Sequence, residues 1–522
     1  MKKRLGTLLA AVLAFAMLFI AACSPSFPME EDADPNGVPG DNSPGPGAPS
    51  VSGDAFTSFT ENAFLNAEES ADSYFAMDVS TASYSVLRRY IDSGYEISPN
   101  MVKTEEMINY FKYDYPAPIG GEPMSMTGNI YPCPYNSQNL LFSVGLRTKD
   151  IEFSSIKNNI VFLIDTSGSM NGADRLGLLQ ESFCLMADSL NDNDLVSVVT
   201  YAGSSKEVLN GVAGREKVMI KNAITDLTAG GSTGGAGGIE NAYRIAQENF
   251  IEGGNNRVIL ATDGDFNVGI SSQSALKTFI SEKRQTGVYL SIMGFGLGNY
   301  KNTTMDTLAQ NGNGAAYYID SLLEAKKVMV EELSGTLVTV ADDVKAMVSF
   351  NPDKVSRYRL LGYETKLMTQ DEWNDSKADA GEIGAGHCVT AVYEITLSNK
   401  VDDVSTNIKL GNHWIGSSVR YKEPYADGET RPTVDNREVK EIRKTYGAAE
   451  QLSTEEFCAN EDLSFLTAVA EFALILRKSS SKANADINNI LTRLSALDTV
   501  IGEHADVYRA DFLKTVKKFN KE

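Results

Sequence analysis

Three short segments of this chain carry oxygen donors in a pattern that suits a hard divalent cation. The first is Asp165-Thr166-Ser167-Gly168-Ser169-Met170, a D-x-S-x-S run that puts one carboxylate and two hydroxyls on alternate residues of a tight loop. The second, Gly230-Gly231-Ser232-Thr233-Gly234-Gly235, offers Thr233. The third, Thr262-Asp263-Gly264-Asp265, offers Asp263. Mg2+ takes about six oxygen ligands in a near-octahedral cage and keeps several waters, so a few protein oxygens on one side suffice. Mn2+ and Ca2+ accept the same donors. Any one of these segments alone reads as an ordinary turn or helix cap. Convergence of the three on one place makes them a candidate site.

Other chemistries fit the residues less well. His387, His413 and His504, the only histidines, all fall outside the region that carries the three segments. Gly-x-Ser-x-Gly surrounds neither Ser167 nor Ser169, so the nucleophile turn of a serine hydrolase is missing. Asp265 is the only spare acid near the proposed ion, where metal-assisted hydrolysis needs a base beside it. Residues 229–238 are glycine-rich but lack the Lys-Ser/Thr pair of a phosphate loop. Gly294-Phe295-Gly296-Leu297-Gly298 lacks the spacing of a dinucleotide loop and reads as a plain strand-end turn. The expectation is binding, not catalysis.

The elements that must position these donors follow from hydropathy. Asn159 to Ile164 is a short apolar run of the kind that forms a buried parallel strand. Leu176, Leu179, Phe183, Met186 and Leu190 recur at helical spacing. Leu195–Tyr201, Arg257–Ala261 and Val288–Phe295 read as further strands, and Ile239–Phe250, Ser274–Lys283 and Thr304–Asn311 as helices. This alternation predicts a doubly wound, mostly parallel sheet, in which all three loops fall at the carboxyl edge, where such sheets bind ligands. The flanks differ. Ser125–Tyr131, Leu140–Leu146, Val344–Phe350, Tyr358–Tyr363, Val389–Leu397, Thr406–Leu410 and Ser418–Tyr421 look like strands with no helices between them. They predict a β-rich domain with the α/β domain inserted into it. Ser80–Ser93, Lys103–Phe111, Leu463–Arg477, Ala483–Leu494 and Glu503–Lys518 read as helices at the two ends.

With its D-x-S-x-S run, later threonine and T-D-G aspartate in order, the stretch from Lys157 to Asp343 resembles the von Willebrand factor type A domain with its metal-ion-dependent adhesion site. The resemblance implies that Ser167, Ser169 and Thr233 coordinate Mg2+ through hydroxyl oxygens. It implies that Asp165 and Asp263 hold the ion mostly through bound waters, and that the sixth position stays open for a carboxylate from a protein partner. Two flanking stretches, Phe75-Ala76-Met77-Asp78-Val79-Ser80-Thr81-Ala82-Ser83-Tyr84-Ser85 and Glu105-Glu106-Met107-Ile108-Asn109-Tyr110-Phe111, resemble the N-terminal region of the YfbK-like group of bacterial lipoproteins. Ala380 to His387 and Ala468 to Ala473 resemble that group's C-terminal region.

The N-terminus indicates where such a module would work. Lys2, Lys3 and Arg4 precede an uncharged run from Leu5 to Ala22, and Ile20-Ala21-Ala22-Cys23 resembles a lipobox with Cys23 as the lipidated residue. Residues 1–22 are expected to be a signal peptide and 23–53, rich in Pro, Gly and Ser, a flexible tether. Residues 54–156 form an N-terminal flank of helices then strands, 157–343 the α/β domain, and 344–522 a β-rich then helical region. The expected location is the cell envelope, with the chain lipid-anchored to a bacterial membrane and its folded part outside the cytoplasm. Lys plus Arg is 47 against 69 for Asp plus Glu, a net charge of −22, which argues against a nucleic-acid partner. Cys133, Cys184, Cys388 and Cys458 show no metal-ligand spacing, and no essential disulfide is expected. A competing reading is a structural envelope protein whose metal only stabilises its own fold.

Overall fold

The computed structural model describes residues 53–77, 80–151, 156–231, 236–264, 273–298, 302–332, 338–376, 380–424 and 436–521. All belong to the compact unit Ala48–Glu522. The expected signal peptide, Cys23, nearly all of the tether, and Thr233 lie outside the described residues.

In chain order the N-terminal flank gives β1 (Leu65–Asn66), β2 (Asp72–Ala76), α1 (Ala82–Ser93), α2 (Thr104–Asn109), β3 (Met124–Pro132) and β4 (Leu140–Thr148). The α/β region gives β5 (Asn158–Asp165), α3 (Leu178–Ser189), β6 (Leu195–Tyr201), β7 (Ser205–Ala213), α4 (Lys217–Thr225), α5 (Ala236–Glu248), β8 (Asn255–Thr262), α6 (Gln273–Arg284), β9 (Tyr289–Phe295), α7 (Asn302–Asn311), β10 (Ala316–Ile319) and α8 (Leu322–Lys326). Then follow β11 (Thr339–Phe350), β12 (Val355–Leu361), β13 (Gly381–Gly384), β14 (Cys388–Leu397), β15 (Ile415–Lys422) and β16 (Val439–Tyr446), and the helices α9 (Glu461–Leu476), α10 (Ile487–Leu494) and α11 (Val507–Phe519).

The sheet of the α/β region runs β10-β9-β8-β5-β6-β7. Every pairing in it is parallel except β6 with β7. Every residue of β5 and of β8 is buried, as strands covered on both faces must be. One face packs Phe162, Val198 and Ile259 on Leu179, Phe183 and Met186 of α3. The other packs Val161, Leu163 and Leu260 on Ile239, Ala242 and Ile245 of α5. The doubly wound, mostly parallel sheet expected from the sequence is therefore present, with an antiparallel edge strand, β7, that the sequence reading lacked.

The flanks form two further sheets, ordered β1-β12-β14-β4-β3 and β13-β11-β15-β16, with β2 paired to β11. Their inner faces meet in one apolar cluster that includes Phe75, Phe142, Val348, Phe350, Tyr358, Tyr393, Ile415 and Tyr446. Phe350 stacks on Tyr358 with ring centroids 3.9 Å apart. Helix α9, apolar on nearly all sides, is buried among α2, α10 and α11 through Phe111, Phe465, Phe472 and Phe512. One expected strand is absent: Thr406–Leu410 is a loop. The Asn407 side-chain Oδ1 accepts the backbone N–H groups of Lys409 and Leu410, and the Asp353 carboxylate accepts from Ser405 and Thr406. These local side-chain bonds satisfy the backbone in place of a ladder.

Candidate metal centre

Asp165 ends β5, and Asp263 directly follows β8, its hydrogen-bonded neighbour, so the two carboxylates stand at the carboxyl ends of adjacent strands. Both are buried, Asp165 completely. The Asp165 Oδ1 atom accepts the Ser167 backbone N–H at 2.8 Å, which turns the chain back on itself. Burial pushes the Asp165 carboxyl up from its ordinary range, the bond from Ser167 opposes this, and the Asp263 charge adds to the rise. Two acids side by side out of water are costly to ionise without a cation.

The turn presents the hydroxyls of Ser167 and Ser169 to one another at 3.0 Å. Adjacent ligands of an octahedral Mg2+ with bonds of about 2.1 Å are about 3.0 Å apart, so the pair fits two neighbouring corners of such a shell. A donor set of two carboxylates and two hydroxyls is all oxygen, which suits a divalent cation. Thr233 is outside the described residues, but the loop leading to it is fastened to the first loop by backbone bonds. Gly230 N–H donates to Thr166 C=O at 2.8 Å, and Gly168 N–H donates to Gly231 C=O at 3.1 Å. Among the described residues, then, Asp165, Ser167, Ser169 and Asp263 are brought together.

A supporting wall was not legible in the sequence. After the D-x-S-x-S loop the chain makes a wide helical turn over Ala173–Gly177, and Arg175 points back from it. Its Nη1 donates to the Ser169 carbonyl at 2.5 Å and its Nη2 to the Leu297 carbonyl at 2.7 Å. Gly296 must be glycine here: its φ is +73°, and a Cβ would sit 2.5 Å from Cγ and Nε of Arg175. The Gly294–Gly298 stretch is a strand-end turn, as its spacing indicates, and through Arg175 it also braces the D-x-S-x-S loop.

The histidines stay away from this edge. His413 Nδ1 sits 3.1 Å from the Leu410 carbonyl, and the His387 backbone N–H donates to Thr148 Oγ1. Asp265 lies outside the described residues. Cys133, Cys184, Cys388 and Cys458 are all unpaired. Among the described residues no helix is long and apolar enough to cross a membrane.

Comparison with known proteins agrees with this architecture. Residues 159–331 match the family described as von Willebrand factor type A domain, residues 335–521 the one described as uncharacterized protein YfbK, C-terminal, and residues 50–143 the one described as von Willebrand factor. The chain is 35% identical to the uncharacterized protein YfbK of Escherichia coli K12 over 480 residues, which span 88% of this chain and 80% of that protein. It is 29% identical over 189 residues to the voltage-dependent calcium channel subunit alpha-2/delta-2 of Mus musculus, covering 35% of this chain and 16% of that one. Among solved structures, a von Willebrand factor type A protein from Catenulispora acidiphila aligns over 76% of this chain and 89% of its own, at 15% identity and a TM-score of 0.41.

Proposed function

Since the chain belongs to the YfbK family of von Willebrand factor type A proteins, we propose that it is an envelope lipoprotein that binds a protein partner through a divalent cation. Mg2+ is the cation of this reading, with Mn2+ and Ca2+ as alternatives. Ser167, Ser169 and Thr233 supply hydroxyls, Asp165 and Asp263 supply charge, and the open position takes a carboxylate from the partner. Cys23 carries the lipid, and residues 23–53 are the tether that holds the folded part off the membrane.

The observation that carries the reading is the pair of converging hydroxyls beside two buried carboxylates. Among the described residues two acids, Asp165 and Asp263, stand at the site, and an ion held largely behind water retains pull for an outside carboxylate. The net charge of −22 opposes acidic partners at long range, but screening beyond about 10 Å leaves a contact site effective. The reading is of binding without turnover: the residues that gather here are ligands for a cation, with no histidine beside them among the described residues.

Retention of envelope proteins on the immobilised chain tests it, with wild type beside Asp165→Ala, in Mg2+ and in EDTA. A partner held only by wild type in Mg2+ supports the receptor. Identical retention in all four conditions overturns it. The burial of Asp165 favours a second reading, in which the ion only neutralises the acids and stabilises the fold; Mg2+ would then raise the melting temperature with no partner captured.

A further inference from the structure

The loop that braces the metal site is itself weak. Gly296 and Gly298 both have positive φ, +73° and +102°, and two glycines in three residues leave little to fix the backbone. From inside the sheet, the Tyr318 hydroxyl donates to the Gly296 carbonyl at 2.9 Å. From outside, the fixing group comes from another part of the chain. The Gly298 N–H donates to Asp54 Oδ1 at 2.9 Å, and the Tyr90 hydroxyl of α1 donates to Asp54 Oδ2 at 2.7 Å. A second contact runs alongside: Arg89, the preceding residue of α1, pairs with Asp174 at 3.0 Å, next to Arg175 in the turn.

A continuous series of hydrogen bonds thus joins the N-terminal flank to the metal loop. Tyr90 holds Asp54, Asp54 holds Gly298, its neighbour Leu297 holds Arg175, and Arg175 holds the carbonyl of Ser169. Arg175 leaves its own Nε–H buried without an acceptor, a cost accepted while both terminal nitrogens reach carbonyls. Ser169 is a neutral ligand, so its contribution to a cation depends on placement more than on charge.

We propose that Asp54 and Arg175 are positioning residues of the metal site, so that the α/β domain reaches its full cation affinity only with the N-terminal flank docked. The proposal rests on the metal-binding reading above and adds that the flank is a working part of the site. Asp54 is also among the first residues after the expected tether, so the chain leaves for the tether beside the wall of the site.

The test measures Mn2+ binding to the full chain by electron paramagnetic resonance, with melting in EDTA as a parallel readout. Asp54→Ala and Arg175→Ala are expected to raise the Kd for Mn2+ roughly tenfold, the usual scale for groups that orient a ligand. Arg175→Lys, which keeps the charge and reaches one carbonyl, should fall between Arg175→Ala and wild type. Tyr90→Phe removes one hydroxyl and should weaken binding in the same direction, while its melting temperature in EDTA stays near that of wild type. It keeps the question answerable if Arg175→Ala fails to fold. Wild-type Kd in both Asp54→Ala and Tyr90→Phe would overturn the proposal. Failure of the wild-type chain itself to bind Mn2+ is a separate failure: it would overturn the metal-site reading and this proposal with it.

Discussion

Arg88 of α1 and Glu324 of α8 form an ion pair 2.9 Å long with both side chains almost fully out of solvent. The same guanidinium reaches Asp320 at 2.6 Å and Asp511 of α11 at 3.2 Å, and the Tyr110 hydroxyl donates to Glu324 at 2.7 Å. One buried cation therefore ties the first helix of the flank, the last helix of the α/β region and the last helix of the chain. Arg88→Ala would leave Asp320 and Glu324 buried without it, which costs about 3–5 kcal/mol when one partner of a buried pair is removed. Urea unfolding of the variant should show that loss; a change below about 1 kcal/mol, the range of surface pairs, would show that the hub is solvated.

Glu105 of α2 gives a pH dependence. Its side chain is buried, and its Oε2 lies against Gly362 with no hydrogen-bond partner of its own. Burial first, then the charges of Glu106 and Glu364, push its carboxyl up from 4.5 to about 7, while Lys103 works against the rise. The folded state therefore holds this proton more tightly than the unfolded chain does. The stability it contributes is complete below pH 4.5 and is lost as pH rises through 7, by roughly 3 kcal/mol in all. Glu105→Gln, which mimics the protonated form, should flatten that part of the stability curve and exceed wild type at pH 8. Parallel curves for the two proteins would refute the assignment.

Removing the metal should lower stability by linkage. At a cation concentration one hundred times Kd, the bound form gains about 2.7 kcal/mol over the stripped one. Calorimetric melting in Mg2+ and in EDTA should differ for wild type and coincide for Ser167→Ala and Asp263→Asn. A difference that survives in both variants would place the cation elsewhere.

Gly296→Ala should act on the site without touching a ligand. The new methyl group meets Arg175, and the residue keeps a left-handed backbone, together costing about 1–3 kcal/mol. Mn2+ affinity should fall along with stability. Unaltered affinity would mean that Arg175 can leave Leu297 at no cost to the metal loop.

Cys23→Ser tests the anchor. The expected result is a chain that moves from the membrane fraction to the soluble fraction while keeping its Mg2+-dependent melting shift. Continued membrane association would point to attachment by some other part of the chain.

The sequence revealed what depends on local pattern. The apolar runs that became β5, β6, β8 and β9 are covered on both faces, and burial on both sides leaves an unbroken hydrophobic signature. The D-x-S-x-S turn was legible because its pattern lies in side-chain types, and the structure brings Asp165, Ser167 and Ser169 together in it. Arg175 gave no such signal: it acts on two backbone carbonyls, one of them 122 residues away. Strands at sheet edges were missed for a related reason. Ser205–Ala213 and Val439–Tyr446 are half in water, and Lys440, Glu441, Arg443 and Lys444 mask the alternation of the latter. Thr406–Leu410 carried the alternation of a strand, but Asn407 captured the backbone first.

The parallel order of the central sheet also has a mechanical meaning. β5 is flanked on both sides by parallel neighbours, registered from Asn159 to Asp165 with β6 and from Asn158 to Ile164 with β8. Its carboxyl end leads into Ser167, and its amino end joins the rest of the chain. A tug on a ligand held at the metal loop would pull β5 lengthwise. All of its ladder bonds would then be loaded together in shear, instead of opening one after another like a zipper.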